Sequence, residues 1–208
     1  MKAISTEKHP CIEWGVGSRG LTSEVESGDA HIVQLLPKGA LVAVVDGLGH
    51  GSEAASAARK AVDCLSNGAS GSVISLLTEC HRSLQGTRGV VMSLALFNSD
   101  DQAMMWTGVG NVTSVLYRAD SRIAPSSENL LPRAGIVGYV LPPLRAAVLP
   151  VSPGDTLVMA SDGIRDGFVV KPFLKDPPQQ IADRILSQHA KETDDALVLV
   201  VRYRGRLP

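Results

Sequence analysis

The chain has 208 residues, long enough to bury the core of one domain, and we expect a single domain over residues 1–208. Its composition is ordinary for a soluble protein, and a net charge of −1 argues against nucleic acid or an anionic membrane as the main partner. No apolar run approaches the roughly 20 residues of a membrane span, and residues 1–8 lack the apolar core of a signal peptide. The expected location is therefore the cytoplasm.

Three strands are predicted in the first part of the chain, over residues 12–16, 29–36 and 40–45. The polar, glycine-bearing segment 17–28 is predicted to be a hairpin loop between the first two. Residues 40–45 are continuously apolar, a pattern typical of a strand buried on both faces.

Two helices are predicted to follow a glycine-dense turn at residues 47–51. The first runs to about residue 66, with Ser52 as the expected N-cap and Glu53 favourable in the first turn. Its many alanines predict close packing against a sheet. The second covers residues 72–84, where apolar side chains recur at helical spacing.

The rest of the chain is predicted to consist mostly of strands. Residues 89–97, 103–108 and 111–117 read as an antiparallel meander, and a strand at 155–160, a helix at 178–190 and a strand at 196–203 follow. Grouped strands with clustered helices favour an α+β fold over alternating α/β. We expect a β-sandwich of two mainly antiparallel sheets flanked by helices.

Aspartates occur at the ends of several predicted strands: Asp29, Asp46, Asp162, and the pair Asp194 and Asp195. Carboxylates gathered at one rim of a sheet repel one another, and all can stay ionised only around a cation. Hard oxygen ligands favour Mg²⁺ or Mn²⁺ over zinc, and two such ions activate water for phosphate-ester hydrolysis. A single Asp-Gly pair is more simply a turn, but the whole set favours a metal site.

Five short segments carry a resemblance that covers nearly the whole chain. They are Ser27-Gly28-Asp29, Val44 to Gly51, Gly108 to Asn111, Ser161-Asp162-Gly163 and Asp194-Asp195-Ala196. In this order they resemble the PP2C-type (PPM) serine/threonine phosphatases, in their bacterial SpoIIE-like branch. Within that branch, the short chain and residues 86–89 are most similar to the RsbX-type phosphatases of the stressosome, a bacterial stress-signalling assembly.

The resemblance implies a four-layer αββα sandwich and two Mn²⁺ or Mg²⁺ ions. By the same resemblance, Asp46 would bridge both ions and position the reacting water, and the Gly47 carbonyl would bind one ion. Asp162 and Asp194 would hold the other ion. Asp29 would contribute to the site directly or through water.

Two positions depart from the family pattern, and one ligand has an alternative. Gly28 stands where many members carry an acid, which implies that one ion is held more through waters. Asn111 replaces an aspartate that many members associate with a third ion, so a third tightly bound metal is not expected. Asp195 is an alternative to Asp194 as a ligand.

The implied reaction is hydrolysis of phosphoserine or phosphothreonine in a protein, by in-line attack of a metal-activated water. The implied partners are phosphorylated STAS-domain proteins of the stressosome, with no nucleic acid and no membrane. The alternative function is a catalytically inactive, phosphatase-like binding module in the same pathway. Loss of the metal aspartates would mark such a module, and here they are present.

Other chemistries fit the sequence less well. The turn at 47–51 resembles a nucleotide-binding loop, but Gly51 comes one place too early for G-x-G-x-x-G, and Asp46 would repel a pyrophosphate. No G-x-S-x-G nucleophile elbow is present. His50 is a candidate acid near the site. Arg19 and Arg88 could meet substrate phosphate, although a surface salt bridge is the simpler role for each.

Overall fold

The computed structural model describes residues 11–21, 26–68, 71–168 and 170–205. In chain order its elements are β1 (Ile12–Arg19), β2 (Asp29–Leu36), β3 (Gly39–Gly47), α1 (Ser52–Asn67), α2 (Val73–Ser83), β4 (Val90–Asn98), β5 (Ala103–Val109), β6 (Thr113–Tyr117), β7 (Ser127–Leu130), β8 (Ala147–Pro150), β9 (Thr156–Ala160), a 3₁₀ turn (Lys171–Phe173), α3 (Pro178–His189) and β10 (Ala196–Tyr203). No helix among these is long and apolar enough to cross a membrane.

The strands form two five-stranded sheets in which every strand pair is antiparallel. The first sheet has the order β1-β10-β9-β6-β7, and the second has the order β2-β3-β4-β5-β8. Helices α1 and α2 pack on the second sheet, and α3 packs on the first. The α+β fold and the αββα layering predicted from the sequence are therefore confirmed.

Strand β3 shows how the sequence pattern builds the layers. Val42 and Val44 point into the core between the sheets, whereas Leu41 and Val45 pack in the core beneath the helices. All four are fully buried, which confirms the prediction of a strand covered on both faces.

The alanines of α1 bring that helix close to the second sheet. Ala54, Ala58 and Ala61 are buried, and a Cβ added at Gly47 would lie 2.2 Å from the Ala54 carbonyl oxygen. The small side chains of the helix and the missing side chain of Gly47 thus allow contact between the two backbones. This contact fixes the end of β3 where Asp46 lies.

The predicted hairpin between the first two strands is wrong. β1 pairs with β10 in the first sheet, and β2 pairs with β3 in the second. Residues 17–19 belong to β1, and residues 20–28 carry the chain from one sheet to the other; of these, residues 22–25 lie outside the described residues. The true partners, β10 and β3, are both apolar strands, and so the hydrophobic pattern of the sequence does not show which strand pairs with which.

The predicted meander is also wrong at its third strand. β4 and β5 pair as expected, but β6 leaves the second sheet and pairs with β7 and β9 in the first. Gly110, with φ of +100°, lies at the corner between β5 and β6. A residue with a side chain is strained in that conformation, so glycine permits the change of sheet there.

Smaller corrections concern caps and short strands. Gly51 rather than Ser52 caps α1, without a side-chain hydrogen bond, because Ser52 is already helical. Ser72 does cap α2, and its side chain accepts a hydrogen bond from the Ser75 amide. The short strands β7 and β8, four residues each, were not predicted, since their polar or proline-bearing sequences lack a clear alternation.

Candidate functional site

The predicted site aspartates meet at one end of the sandwich. Asp29 and Asp46 are directly paired neighbours in β2 and β3. Asp162 follows β9, and Asp194 precedes β10, its neighbour in the first sheet. Asp46, Asp162 and Asp194 line a cleft of about 320 Å³, whereas Asp29 does not. Asp46 is thus brought to the same rim as Asp162 and Asp194, which lie in a distant part of the sequence.

The Asp46 carboxyl is surrounded by negative charge. Burial raises its pKa to about 8, and the charges of Asp29 and Asp162 contribute to the rise, as do those of Asp194 and Asp195. Within the described ranges, no group donates a hydrogen bond or forms an ion pair with this carboxyl. The site therefore offers a carboxylate that is stabilised in its charged form only if a cation binds.

Asp29 is held from behind the cleft by the opposite sheet. The Ser161 hydroxyl donates to Asp29 Oδ2 at 2.6 Å and accepts from the Leu197 amide at 2.9 Å. Burial raises the pKa of Asp29 to about 7, the Ser161 hydrogen bond opposes this, and the nearby aspartates add to it. Ser161 thus links the two halves of the site.

Asp162 and Asp194 are oriented by polar neighbours. Asn111 Nδ2 donates to Asp162 Oδ2 at 2.8 Å, and Lys191 Nζ donates to the Asp162 carbonyl at 2.5 Å. Burial and the charge of Asp162 raise the pKa of Asp194, and Lys191 partly offsets the rise. One oxygen of Asp162 therefore stays available to the cleft.

Asp195 faces away from the cleft. Its carboxylate accepts hydrogen bonds from the Leu21 amide at 2.8 Å and the Gly28 amide at 2.6 Å, and the residue is 4% exposed. It therefore ties both ends of the segment before Asp29 to the start of β10.

The packing around position 28 explains why glycine, and not an acidic residue, stands there. A Cβ at this position would lie 3.2 Å from Ala54 Cβ and 3.5 Å from Asp195 Oδ2. An acidic side chain there would bring a further negative charge close to the buried Asp195 carboxylate. The absence of a side chain at Gly28 therefore leaves room for the Asp195 carboxylate and adds no negative charge beside it.

The donor set fits hard divalent cations that keep part of their hydration shell. In the described parts of the chain, no group of three or more His, Cys, Asp or Glu side chains could hold a metal ion by itself. Mg²⁺ is typically held by one or two carboxylates and several waters. Gly47, predicted to add a carbonyl ligand, is not among the residues that line the cleft. Carboxylates spread around a cleft suit that mode of binding, and they do not suit a closed site made only of protein ligands.

Three basic residues from the sequence analysis have different surroundings. His50 lines the cleft. Arg88 forms an ion pair with Glu53 at 2.5 Å, as expected for a surface salt bridge. The Arg19 guanidinium instead donates to the Lys191 carbonyl, next to the Asp162 region.

Two supporting residues were not predicted. Ser161 directly precedes Asp162, so its place in that motif was a usable signal. Lys191 carries no such signal, because its contact with Asp162 depends on the packing of segments 29 positions apart.

A family model and a curated relative both match this chain. Residues 37–204 match the family model described as Stage II sporulation protein E (SpoIIE). The phosphoserine phosphatase RsbX of Bacillus subtilis (strain 168) is 31% identical over 113 residues, which is 54% of this chain and 53% of the relative. The match thus spans about half the length of that curated relative.

Solved structures share the fold over most of the chain. One described as "The bacterial stressosome: a modular system that has been adapted to control secondary messenger signaling" is 29% identical, with a TM-score of 0.85 over 92% of this chain and 99% of that one. RsbX in complex with magnesium is 21% identical, with a TM-score of 0.85 over 96% and 98%. A PPM Ser-Thr phosphatase of Mycobacterium smegmatis, in complex with cacodylate, is 18% identical, with a TM-score of 0.67 over 93% and 99%.

Proposed function

The chain belongs to the Stage II sporulation protein E family of PP2C-type phosphatase domains, and we propose that it is a metal-dependent protein serine/threonine phosphatase. The observation that carries the proposal is the convergence of Asp46, Asp162 and Asp194 on one cleft. An inactive binding module, the alternative, is not favoured, because these aspartates are retained and face that cleft.

Two Mn²⁺ or Mg²⁺ ions are the proposed cofactors. When bound, they would lower the pKa of a water molecule and neutralise the phosphate group. Asp46 would contact both ions and hold the reacting water in place, with the Gly47 carbonyl as a further ligand. The uncompensated negative charge around Asp46 supports this role.

The first sheet would supply the remaining ligands through Asp162 and Asp194. Asn111 would keep one Asp162 oxygen turned aside and leave the other for the metal. Asp194 is preferred to Asp195, because both Asp195 oxygens already accept backbone amides. Asp29 lies outside the cleft lining, which supports a contribution through water.

The proposed substrates are phosphorylated STAS-domain proteins of a stressosome, in the cytoplasm. Support comes from the likeness to a stressosome structure at 29% identity and from the relative named as a phosphoserine phosphatase. A cleft lined by acids at the end of the sandwich also suits a phosphorylated side chain presented on another protein.

A dephosphorylation assay on a phosphorylated STAS-domain protein tests this proposal. Mass spectrometry would follow the loss of phosphate from each phosphoserine and phosphothreonine with Mn²⁺ present. We expect loss of phosphate that stops on chelation and resumes when Mn²⁺ is restored. Unchanged phosphorylation alongside Mn²⁺-dependent hydrolysis of p-nitrophenyl phosphate would reject the substrate and keep the phosphatase. No hydrolysis of either would reject both.

A further inference from the structure

A second cavity lies at the opposite end of the first sheet from the aspartate cleft. Its volume is about 720 Å³, and it lies between the β6–β7 loop, the turn before β9, the 3₁₀ turn and the end of β10. The strand register places Thr156 beside Arg202 at this end, whereas Ala160 marks the aspartate end. Four residue steps along β9 separate the two ends by about 13 Å. We call this second space the basic cavity.

Four cationic side chains line the basic cavity, and none of its lining residues is acidic. The cations are Arg118, Lys171, Lys175 and Arg202. Only Arg118 among them forms an ion pair within the described residues, with Asp155 and with Glu128. Lys171 and Lys175 therefore have no carboxylate partner in the described residues, and they give the cavity a positive wall.

Arg118 contributes a buried donor that has no acceptor. The residue is 8% exposed, and its terminal nitrogens donate to Asp155, to Glu128 and to the Pro150 carbonyl. Its Nε is buried without a hydrogen-bond partner in the described structure. Its contacts with Asp155, Glu128 and Pro150 therefore hold Arg118 in one position in the cavity wall.

Arg202 contributes a buried charge that meets only neutral oxygens. It is 8% exposed, and its guanidinium donates to the Leu174 carbonyl at 2.6 Å and the Asp176 carbonyl at 2.7 Å. Glu13, its partner across the β1–β10 pair, and Asp176 offset part of this charge, but neither carboxylate forms an ion pair with it, so a bound anion would stabilise it further.

Lys171 and Lys175 complete the charged wall. Lys171 Nζ donates to Ser126 Oγ at 2.6 Å, so a neutral hydroxyl holds it across the cavity. Lys175 is exposed at the mouth. Ala119 and Leu174 add apolar surface to the same walls.

We propose that the basic cavity binds a phosphorylated small molecule with an apolar body. Phosphate oxygens accept several charge-assisted hydrogen bonds at once, which suits clustered lysines and arginines. The apolar walls would hold the rest of the ligand, and the volume falls within the roughly 300–1,000 Å³ of small-molecule sites. No residue lining this cavity lines the aspartate cleft, so the site is independent of the proposed phosphatase function.

Titration followed by NMR tests the proposal on the full chain after metal is removed with a chelating resin. The probes are phenyl phosphate and inorganic phosphate. We expect saturable shifts of the Gly154 and Lys171 amides, with phenyl phosphate binding roughly fivefold more tightly because its ring buries apolar surface. Shifts confined to the aspartate cleft, no saturation, or equal affinity for both probes would each contradict the proposal.

A pair of double variants separates the cavity from general charge. Lys171→Ala with Lys175→Ala should weaken phenyl phosphate binding roughly tenfold. Lys60→Ala with Arg82→Ala removes the same charge from exposed positions on α1 and α2, outside the cavity, and should change the affinity by less than about twofold. Equal weakening by both pairs would overturn the proposed site. The same spectra report whether each variant is folded.

Discussion

Asp46 lies among other aspartates. This position explains its proposed role as a metal ligand, and it also makes the metal-free protein less stable when Asp46 is ionised. Burial and four neighbouring aspartates raise its pKa to about 8. An acid whose pKa is higher in the folded than in the unfolded state binds its proton more tightly when folded. Stability of the metal-free protein should therefore fall as the pH rises from the ordinary pKa of 3.8 towards about 8.

Asp46→Asn should raise the Tm of the metal-free protein at pH 8, because it removes one of the repelling charges. At pH 4, where Asp46 is protonated in the folded protein, the Tm values of the two proteins should be similar. Differential scanning calorimetry over this pH range measures the difference. A metal-free variant less stable than the wild type at pH 8 would show that Asp46 has a favourable partner.

Asp194 and Asp195 should respond oppositely to the same change. Asp194→Asn should weaken Mn²⁺ binding at least about tenfold while stability changes little, because the side chain faces the cleft. Asp195→Asn should lower the free energy of unfolding by about 1.5–3 kcal/mol, because its buried carboxylate accepts hydrogen bonds from two backbone amides. Calorimetric Mn²⁺ titration and denaturant unfolding measure the two effects. The reverse pattern would exchange their assigned roles.

Position at strand ends was enough to predict that Asp46, Asp162 and Asp194 converge, since strand ends meet at the rim of a sheet. It was not enough to assign Asp195, because its partner Gly28 lies 167 positions away. Ser161 likewise acts on Asp29 across 132 positions. Such contacts follow from how the two sheets are placed, which local sequence does not contain.

Helix α1 approaches the end of β3 so closely that Gly47 is the contact point. A Cβ at Gly47 would overlap the Ala54 carbonyl at 2.2 Å, and a backbone atom cannot move aside as a side chain can. The packing of one helix therefore sets the position of Asp46.

Gly47→Ala should destabilise the protein by about 2–3 kcal/mol and reduce activity, because α1 must move away from β3. Gly20→Ala is the matched control, since its Cβ would meet only ordinary contacts at 3.7 Å and beyond. It should change stability by no more than about 1 kcal/mol. Denaturant unfolding compares the two variants. Equal losses of stability in the two variants would mean that the close contact between Gly47 and Ala54 does not determine the effect of the added methyl group.

Most elements were predicted close to their true ends, because long apolar runs and helical spacing are local signals. β2 and β10 have the predicted bounds, and the alanines of α1 pack on a sheet as predicted, with Ala54, Ala58 and Ala61 buried. Strand pairing was predicted less well. β1 and β6 joined different sheets from those expected, since apolar strands of similar length offer many compatible partners.

The whole molecule is a sandwich with different chemistry at its two ends. One end gathers carboxylates around a cleft, and the other gathers cations around the basic cavity. Strands β9 and β10 run between the two ends. That the full 208 residues form a single domain stays a prediction.

The most direct test of a metal-dependent phosphatase centred on Asp46 is the rate of p-nitrophenyl phosphate hydrolysis as Mn²⁺ is added to metal-free protein. The wild type and Asp46→Asn are measured side by side. The wild type should have no activity without metal and a saturable rise with Mn²⁺. Circular dichroism would show whether Asp46→Asn is folded. At saturating Mn²⁺, the folded variant should remain at least about 100-fold slower than the wild type. Full activity of that variant, or wild-type activity that persists after complete metal removal, would contradict a metal-dependent phosphatase centred on Asp46.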